Sequence, residues 1–319
     1  MPAIKQKNSF LPTIAMLIVI LTWGGSFAVT KTAIAYLKPE LVLFCRMALG
    51  SIIFLLCWKK LRRTRIIRKD IPLLLLMLLF EPCLFFLLES YALTYTTASQ
   101  AGMIVATSPL FTALAAWIAL REKPSLLMWA GFAFSIFGIR MLSFDSLQTE
   151  TSPNPMLGNI LQILCMCCGA GFIVCVRKLG ARYSGFFLAA FQALAGTVFF
   201  LVLAIVRGTE IPSEITLVPI LCLLYLGVFV TFAGISFFNY GVSKLPAATS
   251  AGLLNLVPLT AVLFGVIFLG ESMTSMQWVA GLFIVAGVLV SQKAKVIQTG
   301  RKKPAPSSIP SQKEAENRG

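Results

Sequence analysis

The residues best placed to do chemistry are the ionisable and polar side chains stranded in long apolar runs, chiefly Arg46, Glu81 and Glu89, with Lys31, Gln192 and Asn255 beside them. An ionised group at membrane depth costs about 2.5 to 3.5 kcal/mol on insertion scales, so each of these is a functional candidate. Counting about 1.5 Å per residue, Arg46 lies about 8 Å inside one end of its run and Glu89 about 6 Å inside the same end of the next. The shared depth suits an Arg46–Glu89 ion pair, either as a clamp between two helices or in contact with a substrate; Lys31 falls near the same surface. Glu81 lies about 15 Å from the opposite end, near the midplane, and precedes Pro82, which frees a backbone carbonyl one turn earlier. A carboxyl there could exchange a proton during a transport cycle or hold a cationic group; the alternative is a neutral acid hydrogen-bonded to a neighbouring helix. Trp23, Tyr91 and Tyr240 could stack on or bond to a substrate, or belong to an interfacial aromatic belt.

Other chemistries lack their parts. Histidine is absent, no His-Glu-x-x-His pattern or suitable acidic pair exists, and the Gly-Lys of a phosphate-binding loop never occurs. A membrane enzyme and a nucleotide-driven pump are therefore disfavoured, and no cofactor is expected beyond a proton taken up at Glu81. The eight cysteines fall inside apolar runs, which implies no disulfide framework, and Cys165, Cys167 and Cys168 read as packing residues, not metal ligands.

The elements that must position these groups are membrane helices. With 58% hydrophobic and 12% charged residues in 319, the chain carries more apolar surface than a soluble core of its size could bury. Ten apolar runs recur: Phe10–Thr30, Leu41–Trp58, Ile71–Leu93, Ala98–Leu120, Leu126–Leu142, Met156–Val176, Ser184–Val206, Ile215–Phe238, Ala247–Leu269 and Met276–Ser291. They are unbroken instead of alternating, which favours helices over a barrel. The net charge of +15 is sorted by loop: with both termini cytoplasmic, the cytoplasmic connections hold 22 of the 27 Lys and Arg. That placement argues against nucleic acid as a partner and for anionic lipid. A cleaved signal peptide is disfavoured by the length of the first run and by Lys31 after it.

The sequence also matches itself. At an offset of 149 residues, Tyr91 falls on Tyr240, Ala98 on Ala247, Pro109 on Pro258, Leu114 on Leu263, Glu122 on Glu271 and Trp129 on Trp278. A weaker match lays Trp23–Phe27 over Cys168–Phe172 and Gly50 over Gly196, which sets Gln192 where Arg46 stands in the first half. Five spans per repeat force the halves to enter the membrane from opposite sides, so Glu122 and Glu271 lie on opposite faces and suit loop folding or gating. Inverted repeats provide two nearly equivalent arrangements around a site near the midplane. Pro109 and Pro258 are expected to kink equivalent helices there, beside Thr107, Ser108 and Asn255. Gly131, Gly138, Gly281 and Gly287 permit close helix packing or association, leaving a homodimer open.

The run Trp23-Gly24-Gly25-Ser26-Phe27, Arg46 within Phe-Cys-Arg-Met-Ala-Leu-Gly, Tyr91-Ala92-Leu93, Thr97-Ala98-Ser99 and Ser108-Pro109-Leu110-Phe111 ending at Glu122 resembles the EamA family of the drug/metabolite transporter superfamily. The resemblance covers about residues 10 to 292. It implies a ten-helix, two-repeat fold that often exports amino acids, related metabolites or drugs. Cys168 in place of the common aromatic and Glu81-Pro82 depart from the family pattern. The expectation is thus an all-α integral membrane protein in a bacterial-type inner membrane. Its parts are a cytoplasmic N-terminus (1–9), a first repeat (10–142), an external linker (143–155), a second repeat (156–291) and a disordered basic tail (292–319). The expected activity is export of a small polar metabolite by alternating access. A drug or lipid-linked-group exporter on the same fold is the alternative, and a non-transporting scaffold the remoter one.

Overall fold

A computed structural model describes residues 10–57, 64–121, 125–146, 148–214 and 216–301. Among the described residues every extended element is a helix, and an isolated bridge between Thr149 and Ser152 is the only strand-like pairing. In chain order the helices are α1 (Phe10–Tyr36), α2 (Pro39–Leu56), α3 (Arg68–Tyr95), α4 (Ala98–Val105), α5 (Ser108–Leu120) and α6 (Leu126–Phe144). They continue as α7 (Pro155–Leu179), α8 (Gly185–Val206), α9 (Leu217–Lys244), α10 (Ala247–Leu254), α11 (Val257–Leu269) and α12 (Ser275–Arg301). Side-chain oxygens of Thr97, Ser125, Asn154 and Ser184 cap the starts of α4, α6, α7 and α8, each accepting an otherwise orphaned backbone N–H.

By length and composition, 8 helices can cross a membrane among the described residues, and a ninth is reached if α4 and α5, bent by 43° at their junction, are one span. Ser275–Ser291 within α12 is a shorter apolar helix. Two runs expected as single helices are broken, 98–120 after Val105 and 247–269 after Leu254. The reason is local: Pro109 and Pro258 each stand in the first turn of the following helix, where the missing N–H is tolerated but the helix behind cannot be continued. The last helix runs to Arg301, beyond the boundary expected at 291. Residues 1–9 and 302–319, and with them the two termini, lie outside the described residues, as does Glu122.

Two helices contain π-helical turns, Leu79–Leu84 in α3 and Tyr225–Gly234 in α9. The offset of 149 carries the first onto residues 228–233, inside the second. A π turn widens the ladder by one residue and is a recurring device at functional sites. In α3 the widening is marked by Glu81, whose backbone is extended (φ −147°, ψ 120°).

Most helix pairings recur when the halves are exchanged. α3 packs on α7 as α9 packs on α1, α5 on α7 as α11 on α1, and α2 on α9 as α8 on α3. Equivalent helices also meet each other, α2 with α8 and α6 with α12. These last pairs run antiparallel: Gly131 meets Gly287 while Gly138 meets Ala280, and the Ser135 hydroxyl donates to the Ile284 carbonyl at 3.1 Å. Likewise Leu43 and Met47 cluster with Phe200, whereas Phe54 at the other end of α2 packs with Phe187 and Ala190.

Candidate functional site

Where α2 and α3 of the first half face α8 and α9 of the second, each π turn is gripped by a polar side chain from the opposite half. Arg46 of α2 is 5% exposed and donates from Nε to Thr231 Oγ1 in the π turn of α9, at 3.2 Å. Gln192, the counterpart of Arg46 on α8, donates from Nε2 to the main-chain carbonyl of Glu81 in the π turn of α3, also at 3.2 Å. Backbones come close enough for this because of paired glycines. A Cβ on Gly50 would strike Thr231, and one on Gly196 would strike Pro82, the residue equivalent to Thr231.

Arg46 also lies over the Phe86 ring, its guanidinium carbon 4.3 Å from the centroid. The ion pair expected between Arg46 and Glu89 is not formed. Thr231 draws the guanidinium across to α9 and Phe86 holds it flat, so its bonded contact is to a hydroxyl and not to a carboxylate. The site therefore holds one buried cation and two carboxyls without a direct salt bridge among them, an arrangement able to bind a charged or zwitterionic guest.

Glu89 belongs to the face of α3 formed by Phe85, Glu89, Ala92 and Thr96, spaced at helical intervals. The other members of that face touch α7: Phe85 lies against Cys165 and Gly169, and Ala92 and Thr96 against Gly158. Glu89 is thus turned toward α7, at the level of Gln162. Gln162 is fully buried with neither Nε2 nor Oε1 bonded, and Ser90 Oγ is likewise buried and unbonded.

The remaining candidates are distributed around this centre. Tyr91 is drawn to one end of the bundle, where its hydroxyl donates to Glu40 and is approached by Arg207, and Arg207 itself bonds Glu40 at 3.0 Å. At the same end Lys31 donates to the carbonyls of Leu93, Thr96 and Thr151 at 2.8, 2.6 and 2.8 Å, so it ties the end of α3 to the connection before α7. Glu271 accepts from the backbone N–H groups of Ala98 and Ser99 at 2.7 and 2.8 Å, capping α4 across the two halves. Trp23 packs on Phe238, with ring centroids 5.3 Å apart, and Tyr240 and Asn255 are exposed. Pro109 and Pro258 sit at the α4–α5 and α10–α11 junctions described above. Arg46, Glu81, Glu89 and Gln192 thus come together, while Tyr91, Trp23, Tyr240 and Asn255 stand apart from them.

Gln162, Thr231 and Lys31 in its tethering role were not singled out by sequence. For Gln162 a signal existed: Asn159 and Gln162 stand three apart in a helix otherwise apolar as far as Val176, on neighbouring positions of one face.

The model of the EamA-like transporter family matches residues 11–144 and 156–292. The uncharacterized transporter YetK of Bacillus subtilis (strain 168) is 23% identical over 291 residues, covering 90% of this chain and 87% of that protein. A probable terminal-alkyne amino-acid exporter of Streptantibioticus cattleyicolor is 24% identical over 280 residues, covering 86% and 91%. A solved crystal structure shares the fold at a TM-score of 0.60 and 18% identity, covering 90% of this chain and 98% of that one.

Proposed function

The chain belongs to the EamA-like transporter family and is a multi-pass membrane transporter, not an enzyme; on that premise we propose that it exports a small polar metabolite, an amino acid or related compound, by alternating access. One observation carries the reading. The equivalent elements α4 and α10 are packed differently: Ala98–Ile104 is wholly buried, whereas in α10 Ser250 is buried but Thr249 and Gly252 are exposed. Two related halves in two different states are what an alternating-access protein holds at any instant.

The reading comprises ten spans as two inverted five-helix repeats, with α4–α5 and α10–α11 each one broken span. Support comes from the exchange of helix pairings between halves and from the antiparallel α2–α8 and α6–α12 contacts. The loop charge bias supports an inner-membrane orientation with both termini cytoplasmic, which opens the α10 side to the cytoplasm. Glu81, held by its main chain to Gln192 beside Arg46, is the proposed proton-coupling group.

Comparing intracellular and medium metabolites in cells lacking and overproducing the protein tests the function; if no amino acid or related compound moves, the proposal fails. For coupling, Glu81→Gln should abolish uptake of that compound driven by a pH gradient in everted vesicles. Unchanged uptake would remove Glu81 from the cycle.

A further inference from the structure

Buried amides in this chain are normally satisfied. Asn159, less than one turn before Gln162, bonds Gln100 and Ser143 through Nδ2 and accepts from Thr96 through Oδ1. Gln162 alone on this helix face is fully buried with both ends of its amide unbonded. Leaving a buried donor or acceptor unpaired costs about 1–3 kcal/mol each, so an amide orphaned at both ends is destabilising in the protein by itself.

Register sets Gln162 against Glu89. On α7, Gly158 touches Ala92 and Thr96, and Cys165 donates to the Phe85 carbonyl, so the intervening position 162 faces position 89. Beyond Glu89 lies Arg46, whose Nε is bonded to Thr231 and whose terminal amino groups have no acceptor among the described residues.

We infer that Gln162 is a substrate-recognising residue, which with Glu89 reads the ammonium of a zwitterion whose carboxylate is taken by the free edge of the Arg46 guanidinium. Oε1 shares the ammonium with Glu89, and Nε2 donates to an oxygen of the neighbouring carboxylate. An α-amino acid presents N–H donors and carboxylate acceptors on adjacent carbons, which matches an amide flanked by an acid and a guanidinium. A cation without a carboxylate, or a dianion, would leave one of these walls unpaired in a buried site. The assignment rests on the transport reading above and deepens it.

The test uses the purified full-length protein, with an equimolar mixture of the common L-amino acids as probe and the same amino acids N-acetylated as control. The mixture should raise the thermal midpoint of the wild type and the control should not. Gln162→Leu removes both orphaned groups at similar volume, so without probe its midpoint should be unchanged or higher. The concentration of mixture giving half the rise should then increase roughly a hundredfold, the loss of two hydrogen bonds to charged groups. A variant that responds as the wild type does would overturn the role of Gln162 and leave the transport reading standing. An equal response to the N-acetylated control would overturn the ammonium assignment. A wild type unmoved by the mixture would remove the zwitterion and the amino-acid reading together.

Discussion

α4 and α10 fill equivalent places in the two halves, each a two-turn helix ahead of a proline-started one, yet their surroundings differ. α4 lies on α11, with Glu271 capping its first turn. The side chain of Gln100 accepts there from Thr96, Ser146 and Asn159 at 3.1, 2.9 and 3.0 Å. The counterpart interface, α10 on α5, is at most a grazing contact among the described residues. A side chain added at Gly252 of α10 would meet open space. The difference teaches that closure is a property of the end of the bundle and not of the helix. At the α4 end the polar contacts bind the short helix itself, whereas at the opposite end they join the start of α3 to the α7–α8 connection, Asp70 accepting from Arg182 and Tyr183, and do not involve the described side chains of α10.

Four measurements would break or sharpen this contrast. The largest effect is expected for Lys31→Met, which orphans three carbonyls at the tethered end. Loss of about 3 kcal/mol or more, seen as a clearly lower thermal midpoint, is expected, and an unchanged midpoint would refute the tether. Next, in a variant lacking the native cysteines, Gly252→Cys should react with a maleimide roughly a hundredfold faster than Met103→Cys at the equivalent place. Met103 is 7% exposed and becomes reachable only by a local opening costing a few kcal/mol. Equal rates would erase the asymmetry. Glu271→Ala should then raise the labelling of Met103→Cys, because losing a charged cap of two N–H groups frees α4 by about 1–2 kcal/mol. If labelling did not change, the cap would have no part in closure. The smallest effect belongs to Arg207→Gln. Arg207 is half exposed, and the buried Glu40 keeps the Tyr91 hydroxyl when the guanidinium is lost, so a stability loss of no more than about 1 kcal/mol is expected, and a large loss would move the centre of closure to this cluster.

The paired halves were legible because duplicated residues such as Tyr91 and Tyr240, or Pro109 and Pro258, survive at one fixed spacing. The buried charges were legible because ionisable groups stand out in apolar runs. Their partners were not. Thr231 grips Arg46 only because a π turn brings its hydroxyl round, and nothing in Tyr225–Gly234 marks such a turn, whereas Glu81-Pro82 marks the one in α3. Lys31 reads as a surface cation until α3 and the connection at Thr151 are seen to converge on it. Glu271 could be matched to Glu122 by sequence, but the backbone it caps lies 172 to 173 positions away, in the other half.

The α6–α12 contact has a consequence for ancestry. Gly131 against Gly287, mirrored by Gly138 against Ala280, is an isologous surface, the same patch used on both sides. A half-length chain carrying that patch once could have joined a second copy lying in the opposite sense and made the same interface between separate molecules. In a single chain the two copies of the patch need not stay identical. Arg46 facing Gln192 across the present axis is a difference that no symmetric pair of identical chains could have held.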